Sequence, residues 1–406
     1  MVTPKLRFKE FDSAWSNSKI DDIAVVTSGG TPSRSNLTFW DGNIPWVTTS
    51  LVDFNIIQSA EEFITQKGLD NSSAKLFPKN TILMAMYGQG ITRGKVAILG
   101  IDATTNQACA AIKLQSNYDT QFIFQNLMNR YEEIRDLSND GGQKNLSAGI
   151  IKEIEVNYPE KTEQTKIATF LSAVDEKIAQ LSQKLHLLGQ YKQGMMQKLF
   201  YQQIRFKADD GSEFGEWEIQ PLNHYLYTSK LKNKDLTYTK YDVLSVSGEF
   251  GIVNQINLLG RSYAGVSVAP YGIVEVNDVV YTKSPLKSNP YGIIKVNQGK
   301  AGIVSTLYAV YKCKENIIPK LIEYYFQNDS KLNQLLKPLV KKGAKNDMKV
   351  NNDHVLTGKI SFPASLEEQT KIANFLSAID QKIDVVSEQL KQAKIWKKGL
   401  LQQMFV

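Results

Sequence analysis

Three short stretches in the first 150 residues combine glycine with a cation and with amide or hydroxyl groups. They are Ser28-Gly29-Gly30-Thr31-Pro32-Ser33-Arg34-Ser35, Tyr87-Gly88-Gln89-Gly90-Ile91-Thr92-Arg93-Gly94-Lys95 and Asp140-Gly141-Gly142-Gln143-Lys144-Asn145. Flexible backbone beside a cation can hold a phosphate, while arginine, amides and hydroxyls offer donors and acceptors to a base edge. Any one such stretch is equally an ordinary solvated turn. Three in one body point to a polyanion, although the sequence is silent on whether they converge. Thr31, Ser33, Arg34, Gln89, Thr92, Arg93, Gln143 and Asn145 are the candidate base contacts, and Lys95 and Lys144 the candidate phosphate contacts. Asn106-Gln107 has the groups for a bidentate pair with adenine, or for a structural amide pair within a strand.

Farther along, cations gather at Lys230, Lys232 and Lys234, at Lys283 and Lys287, and at Lys341, Lys342 and Lys345, with tyrosines between them. A charge run is usually a wet surface. Here, however, Lys341-Lys342-Gly343-Ala344-Lys345-Asn346 sets lysine beside small and polar residues, as phosphate-facing loops do. The candidates in this half are Lys283, Ser284, Lys287, Lys341, Lys342, Lys345 and Asn346. The net charge is +7 over 406 residues. It is uneven, about −3 for residues 1–160 and about +6 for residues 201–362. If both halves bind one polyanion, the first must do so through a local patch.

Catalytic patterns are missing. His186, His224 and His354 are scattered, and no His/Cys spacing fits a metal. The loop before Lys95 misses the P-loop pattern, with Gln89 in place of the first glycine and Val96 in place of the Ser/Thr that holds magnesium. No Gly-x-Gly-x-x-Gly follows a strand, and the Asn/Asp-Pro-Pro-Tyr/Phe pocket of adenine methyltransferases is absent. Asp175-Glu176-Lys177 superficially resembles a nuclease triad, but it lies within a helical stretch and reads as helix surface.

That stretch is one of two that must position everything else. Glu163–Phe200 and Glu368–Phe405 align without a gap and are about half identical, the self-similarity of a duplicated unit. Apolar residues at Ile167, Leu171, Val174, Ile178, Leu181, Leu185, Leu188, Met195 and Leu199 step by threes and fours. So do Ile372, Leu376, Ile379, Ile383, Val386, Leu390, Ala393, Leu400 and Met404. This is the seam of a coiled coil, with one lysine inside each copy, Lys192 and Lys397. A helix of about 35 residues would be roughly 50 Å long. A single-seam helix needs a partner, and the other copy is the obvious one.

The repeat is larger than the helices. Leu6-Arg7-Phe8-Lys9 followed by Trp15 has a counterpart in Ile204-Arg205-Phe206-Lys207 followed by Trp217. The expected order is body, helix, body, helix: residues 1–160, 161–200, 201–362 and 363–406. The first body predicts strands at Thr81–Met86 and Lys95–Leu99 and a helix at Phe122–Leu137. The second predicts strands at Tyr241–Val246, Ile273–Val276, Val279–Tyr281, Gly292–Val296 and Ile303–Tyr311, with a helix at Pro319–Asn328. Two cysteines, Cys109 and Cys313, make no disulfide framework. With no signal-peptide pattern and no long apolar run, the expected location is the cytoplasm.

The doubled Pro–Glu-Gln–Lys-Ile-Ala–Phe-Leu–Asp pattern resembles the conserved regions of type I restriction–modification specificity subunits. So do Gly29-Gly30-Thr31-Pro32-Ser33-Arg34 with Ile44-Pro45-Trp46-Val47-Thr48, and Arg93-Gly94-Lys95-Val96-Ala97 with Asn106-Gln107. The resemblance implies an α+β chain: two mixed α/β target recognition domains joined and separated by two long antiparallel coiled-coil-like helices, with a pseudo-twofold internal repeat. It implies a non-catalytic reader of a split, asymmetric site in double-stranded DNA. The implied partners are two methyltransferase subunits and restriction/translocase subunits, with no membrane. S-adenosylmethionine, ATP and magnesium would bind the partners, and this chain would carry no cofactor. The second body lacks the Gly-Gly-Thr-Pro loop and the Asn-Gln pair, as two bodies reading different sequences would. The rival readings are an interaction scaffold that has lost DNA binding and an enzyme with an unfamiliar site.

Overall fold

The computed structural model describes residues 3–88, 91–137, 145–286, 288–342 and 348–405. Two helices dominate, Lys161–Phe200 and Leu366–Met404. The chain packs as two compact units, Met1–Gln183 with Ser387–Val406, and Lys184–Val386. Each unit therefore holds one mixed body and half of each long helix.

In the first unit the central sheet runs Ala24–Ser28, Cys109–Leu114, Ile82–Ala85, Val96–Leu99 and Ile56–Ile57. All neighbours are antiparallel except the last pair. Ile82–Ala85 and Val96–Leu99 are buried on both faces, so they read as unbroken apolar runs. Ile82, Met84, Val96 and Ile98 face the helix Thr120–Asn129 through Phe122, Ile123 and Leu127. Leu83, Ala85, Ala97 and Leu99 face Val47, Val52, Ile57 and Phe77. The expected helix Phe122–Leu137 is two helices, Thr120–Asn129 and Tyr131–Asp136. They break at Arg130, which leaves the helical region (ψ 19°) and donates to the carbonyl of Glu155 and the carboxylate of Glu133.

In the second unit the central sheet runs Leu226–Thr228, Ala309–Cys313, Val279–Tyr281 and Ile294–Val296, antiparallel throughout. Its order matches that of the first four strands of the other sheet. Fully buried Tyr281, Tyr311, Tyr324 and Phe362 fill the core. The expected strand Ile303–Tyr311 is two strands, Gly302–Val304 and Ala309–Cys313, split by a turn in which Tyr308 N–H donates to the Ser305 carbonyl at 2.9 Å. The expected strand from Tyr241 starts only at Leu244, because Thr239 and Asp242 cap a short 3-10 turn before it.

The repeated lead-ins have a structural reason. Arg7 pairs bidentately with the buried Glu163 carboxylate at 2.7 and 2.6 Å, and Arg205 with Glu368 at 3.0 and 3.0 Å. Phe8 meets Phe170 edge to face, and Phe206 meets Phe375. Gln164 and Gln369 stitch each helix start to its body. Their amides donate to the carbonyls of Pro159 and Pro363 and accept from the N–H groups of Asp119 and Ile318.

The long helices pair antiparallel. In the first unit Ile167, Leu171 and Val174 share a core with Leu400, Leu401 and Met404. In the second, Met196, Leu199 and Phe200 share a core with Ile372, Leu376 and Ile379. The seam follows the expected positions, with Met196 enclosed more deeply than Met195. Both seam lysines find an acid on the facing helix: Lys397 Nζ lies 2.5 Å from Asp175, and Lys192 Nζ 2.6 Å from Asp380. Asp175 is thus a bridging residue rather than the bare helix surface expected of it. It also accepts from Gln125, as Asp380 accepts from Tyr324.

Candidate nucleic-acid interface

Sheet topology decides which loops meet. In the first body, the strands Ala24–Ser28 and Ile82–Ala85 end where Val96–Leu99 and Cys109–Leu114 begin, because neighbours run antiparallel. The Gly29–Ser35 loop, the 86–95 hairpin and Asn106-Gln107 all leave from that one end. Backbone bonds tie them together. Gly30 N–H donates to the Thr105 carbonyl at 2.8 Å, Met86 N–H to Ala108 at 2.8 Å, and Leu146 N–H to Met86 at 3.0 Å. Thr31 Oγ1 donates to Gln107 Oε1 at 2.5 Å. The last bond of the ladder brings Asn145, beside Leu146, to the same cluster.

Two tryptophans from the strand Trp40–Val47 brace the first loop. Trp46 Nε1 donates to the Gly30 carbonyl at 2.9 Å, and Trp40 Nε1 to the Ser33 carbonyl at 3.1 Å. Gly29 and Gly30 are needed for space. A Cβ at Gly29 would lie 2.0 Å from the Thr105 carbonyl oxygen, and one at Gly30 would lie 2.3 Å from Ser73 backbone carbon. The loop is seated against its neighbours, not loose.

The cations differ in availability. Arg34 stacks 3.8 Å over the Trp40 ring and grips both Glu62 oxygens, one at 2.9 Å. That hydrogen-bonded pair raises the guanidinium pKa and pulls the Glu62 carboxyl below its usual range. To read a base, Arg34 must exchange Glu62 for it. Lys95 is mostly covered and paired with Asp53 at 2.6 Å, so its charge is already balanced. Thr92 and Arg93 are partly exposed on the hairpin turn, where Lys95 N–H donates to the Thr92 carbonyl. Ser33 bonds Ser35 at 2.9 Å on the open face of its loop. Asn106 is half-buried, and its Oδ1 accepts from Ala108 N–H at 3.1 Å, which shapes the turn before the strand Cys109–Leu114. Gln89, Gln143 and Lys144 lie outside the described residues.

The second body repeats the arrangement with different residues. The strands Leu226–Thr228 and Val279–Tyr281 end where Ile294–Val296 and Ala309–Cys313 begin. The 282–292 hairpin therefore occupies the place of the 86–95 hairpin, and 305–308 the place of 105–108. Lys283 Nζ donates to Asn352 Oδ1 at 3.3 Å and, more loosely, to the Thr306 carbonyl at 3.5 Å. Burial, with the nearby Lys232 charge, lowers its pKa. Thr228 donates to Asp353 in the same group. Ser284 follows Lys283 on the hairpin. Thr228, Thr306, Asn352 and Asp353 escaped sequence reasoning because they carry neither cation nor glycine; the sheet order is the signal that finds them. Lys341-Lys342 forms a two-residue strand paired with Met348-Lys349. Lys287, Lys345 and Asn346 lie outside the described residues.

Among the described residues, no three His, Cys, Asp or Glu side chains cluster as a metal site. No helix among them is long and apolar enough to cross a membrane.

Residues 12–188 and 271–394 match the family described as type I restriction modification DNA specificity domain. The chain is 30% identical over 237 residues to the type I restriction enzyme MjaIX specificity subunit of Methanocaldococcus jannaschii, covering 54% of this chain and only about half, 54%, of that protein. It is 22% identical over 412 residues to the MjaVIII specificity subunit of the same organism, covering 95% of this chain and 91% of that one. The crystal structure of the type-I restriction-modification system S subunit from M. genitalium has a similar fold, with a TM-score of 0.59 at 16% identity over 100% of this chain and 99% of that one. Because the family match runs from each body into its long helix, the chain belongs to the type I restriction–modification DNA specificity family.

Proposed function

We propose that this chain is the DNA-reading member of a type I restriction–modification assembly. Residues 1–160 and 201–362 act as target recognition domains, each gripping one half of a split, asymmetric duplex site. The helices within 161–200 and 363–406 set the gap between the halves and dock two methyltransferase subunits, which restriction/translocase subunits join. Catalysis, with its S-adenosylmethionine, ATP and magnesium, belongs to those cytoplasmic partners. The observation that supports this reading is the gathering of donor-rich loops at one end of each central sheet, on two bodies that share topology but differ in side chains.

Two half-sites on one DNA face are centred about 34 Å apart. A 40-residue helix, roughly 60 Å long, can bridge that. The test is an insertion of one helical turn near Ala179, with a matching turn between Asp380 and Lys397 so that both seam ion pairs persist. The gap in the methylated site should lengthen by roughly 6 Å, one to two base pairs, with both half-sites intact. Methylome sequencing of a host carrying the chain and its partners reads this directly. An altered half-site with an unchanged gap would count against the spacer role.

Within the first body, Arg93→Ala should relax one position of its half-site. An arginine–guanine pair contributes about 1–3 kcal/mol of discrimination. The methylation pattern is again the readout, and an unchanged first half-site rules the contact out.

A further inference from the structure

Lys283 is the residue on which the second body's separate loops meet. It lies two residues past the strand Val279–Tyr281 and adopts φ 49°, a left-handed conformation that side-chain-bearing residues seldom take. Strain of this kind persists where surroundings over-determine it. Here the surroundings are the Thr306 carbonyl and the Asn352 side chain. Asn352 is fixed in turn. Its carbonyl accepts from Tyr311 Oη at 3.1 Å, and it opens the helix Asn352–Val355, capped by Asn351.

The chemistry of the pair is one-sided. A lysine ammonium has three donors and no acceptor. The single side-chain acceptor of Asn352 is turned toward Lys283, and its amide Nδ2 donates to nothing among the described residues. The pair therefore offers N–H donors, while the nearby Asp353 carboxylate is held by the Thr228 hydroxyl. In the major groove the base with two adjacent acceptors and no donor on its edge is guanine, through O6 and N7. We propose that Lys283 and Asn352 together read a guanine in the half-site gripped by the second body. This rests on the reading that this body grips DNA, and adds which base it demands and which residues demand it. The equivalent hairpin position of the first body is Tyr87, which has no ammonium, so the first half-site carries no such requirement from this position.

The test uses the assembled complex and two readouts. Methylome sequencing defines both half-sites for the wild type, for Asn352→Ala and for Lys283→Gln. Competition binding then uses duplexes with 7-deazaguanine, which lacks the N7 acceptor, at each guanine of the second half-site. One such replacement should weaken wild-type binding roughly 5- to 150-fold and should have little further effect on whichever of the two variants has lost the N7 contact. Both variants should relax that guanine while the first half-site stays unchanged, which also reports that the chain remains folded and assembled. A second half-site without guanine overturns the proposal, as does indifference to every 7-deazaguanine, or full sensitivity retained in both variants. Because the 7-deazaguanine arm needs only wild-type protein, a poorly folding variant leaves the proposal exposed to refutation. Absence of any split-site methylation by the wild type would instead bring down the functional reading itself.

Discussion

Glu368→Ala should loosen the second unit by roughly 3 kcal/mol, the lower end of the cost of removing one partner from a buried ion pair, because the Arg205 side chain keeps 20% of its surface in solvent. Glu368 is 1% exposed and accepts three hydrogen bonds, two from Arg205 and one from Trp217 Nε1 at 3.1 Å. Truncation leaves the buried indole N–H without its acceptor and the guanidinium with only the Gly215 carbonyl. Each unit has its own core, so a single unfolding midpoint would blur the effect. Native-state hydrogen exchange at the amides of Val279–Tyr281 isolates it. Glu163→Ala should cost less in the first unit, because Trp15 Nε1 makes no bond to lose. Replacing Arg205 and Glu368 together by methionine should recover much of the loss, since two well-packed apolar groups often equal a buried pair. An Glu368→Ala effect below about 1 kcal/mol would mean the pair is no more than a surface contact.

Gly29→Ala should cripple the first half-site while sparing the second. Its new methyl would lie 2.0 Å from the Thr105 carbonyl oxygen, and that atom is backbone in a sheet rather than a side-chain tip. Overpacking typically costs about 1–3 kcal/mol, and relief here requires moving the loop off Thr105–Asn106. That movement breaks the Thr31–Gln107 bond and the Gly30–Thr105 bond together. In the methylome, first-half recognition should be lost or degraded with the second half still specified. Gly149→Ala is the control. Its nearest neighbour is Ser147 Oγ at 3.7 Å, ordinary contact distance, and it sits in a short helix that alanine favours. Equal behaviour of the two variants would show that the Gly29 loop has room to spare.

The long helices were legible because a seam repeats for nearly forty residues, and nothing tertiary is needed to read such a period. The lead-ins were legible as a repeat but not as chemistry. Nothing in Arg7 or Arg205 announces a carboxylate some 156 or 163 positions away. The loops around Thr31, Arg93 and Asn145 were recognisable one at a time. Their meeting depends on strand order, which a single sequence does not print. Arg34 and Lys95 look identical to free cations in sequence, and only the fold brings Glu62 and Asp53 against them. The Gly-Gly pair was read as flexibility, whereas close approach to Thr105 and Ser73 is what excludes a side chain there. In the second body, Asn352 and Thr306 carry no local signal at all.

The seam ion pairs have one more consequence. Along each long helix the acid comes first and the base 17 residues later, Asp175 before Lys192 and Asp380 before Lys397. Laid head to tail, each acid faces a base. Laid side by side in the same direction and register, aspartate would face aspartate and lysine would face lysine, and like charges held that close repel. A duplicated segment with this charge order is therefore polarised. The same four side chains that welcome its twin in one orientation turn it away in the other, so the direction of pairing is written into the copy before any body is attached.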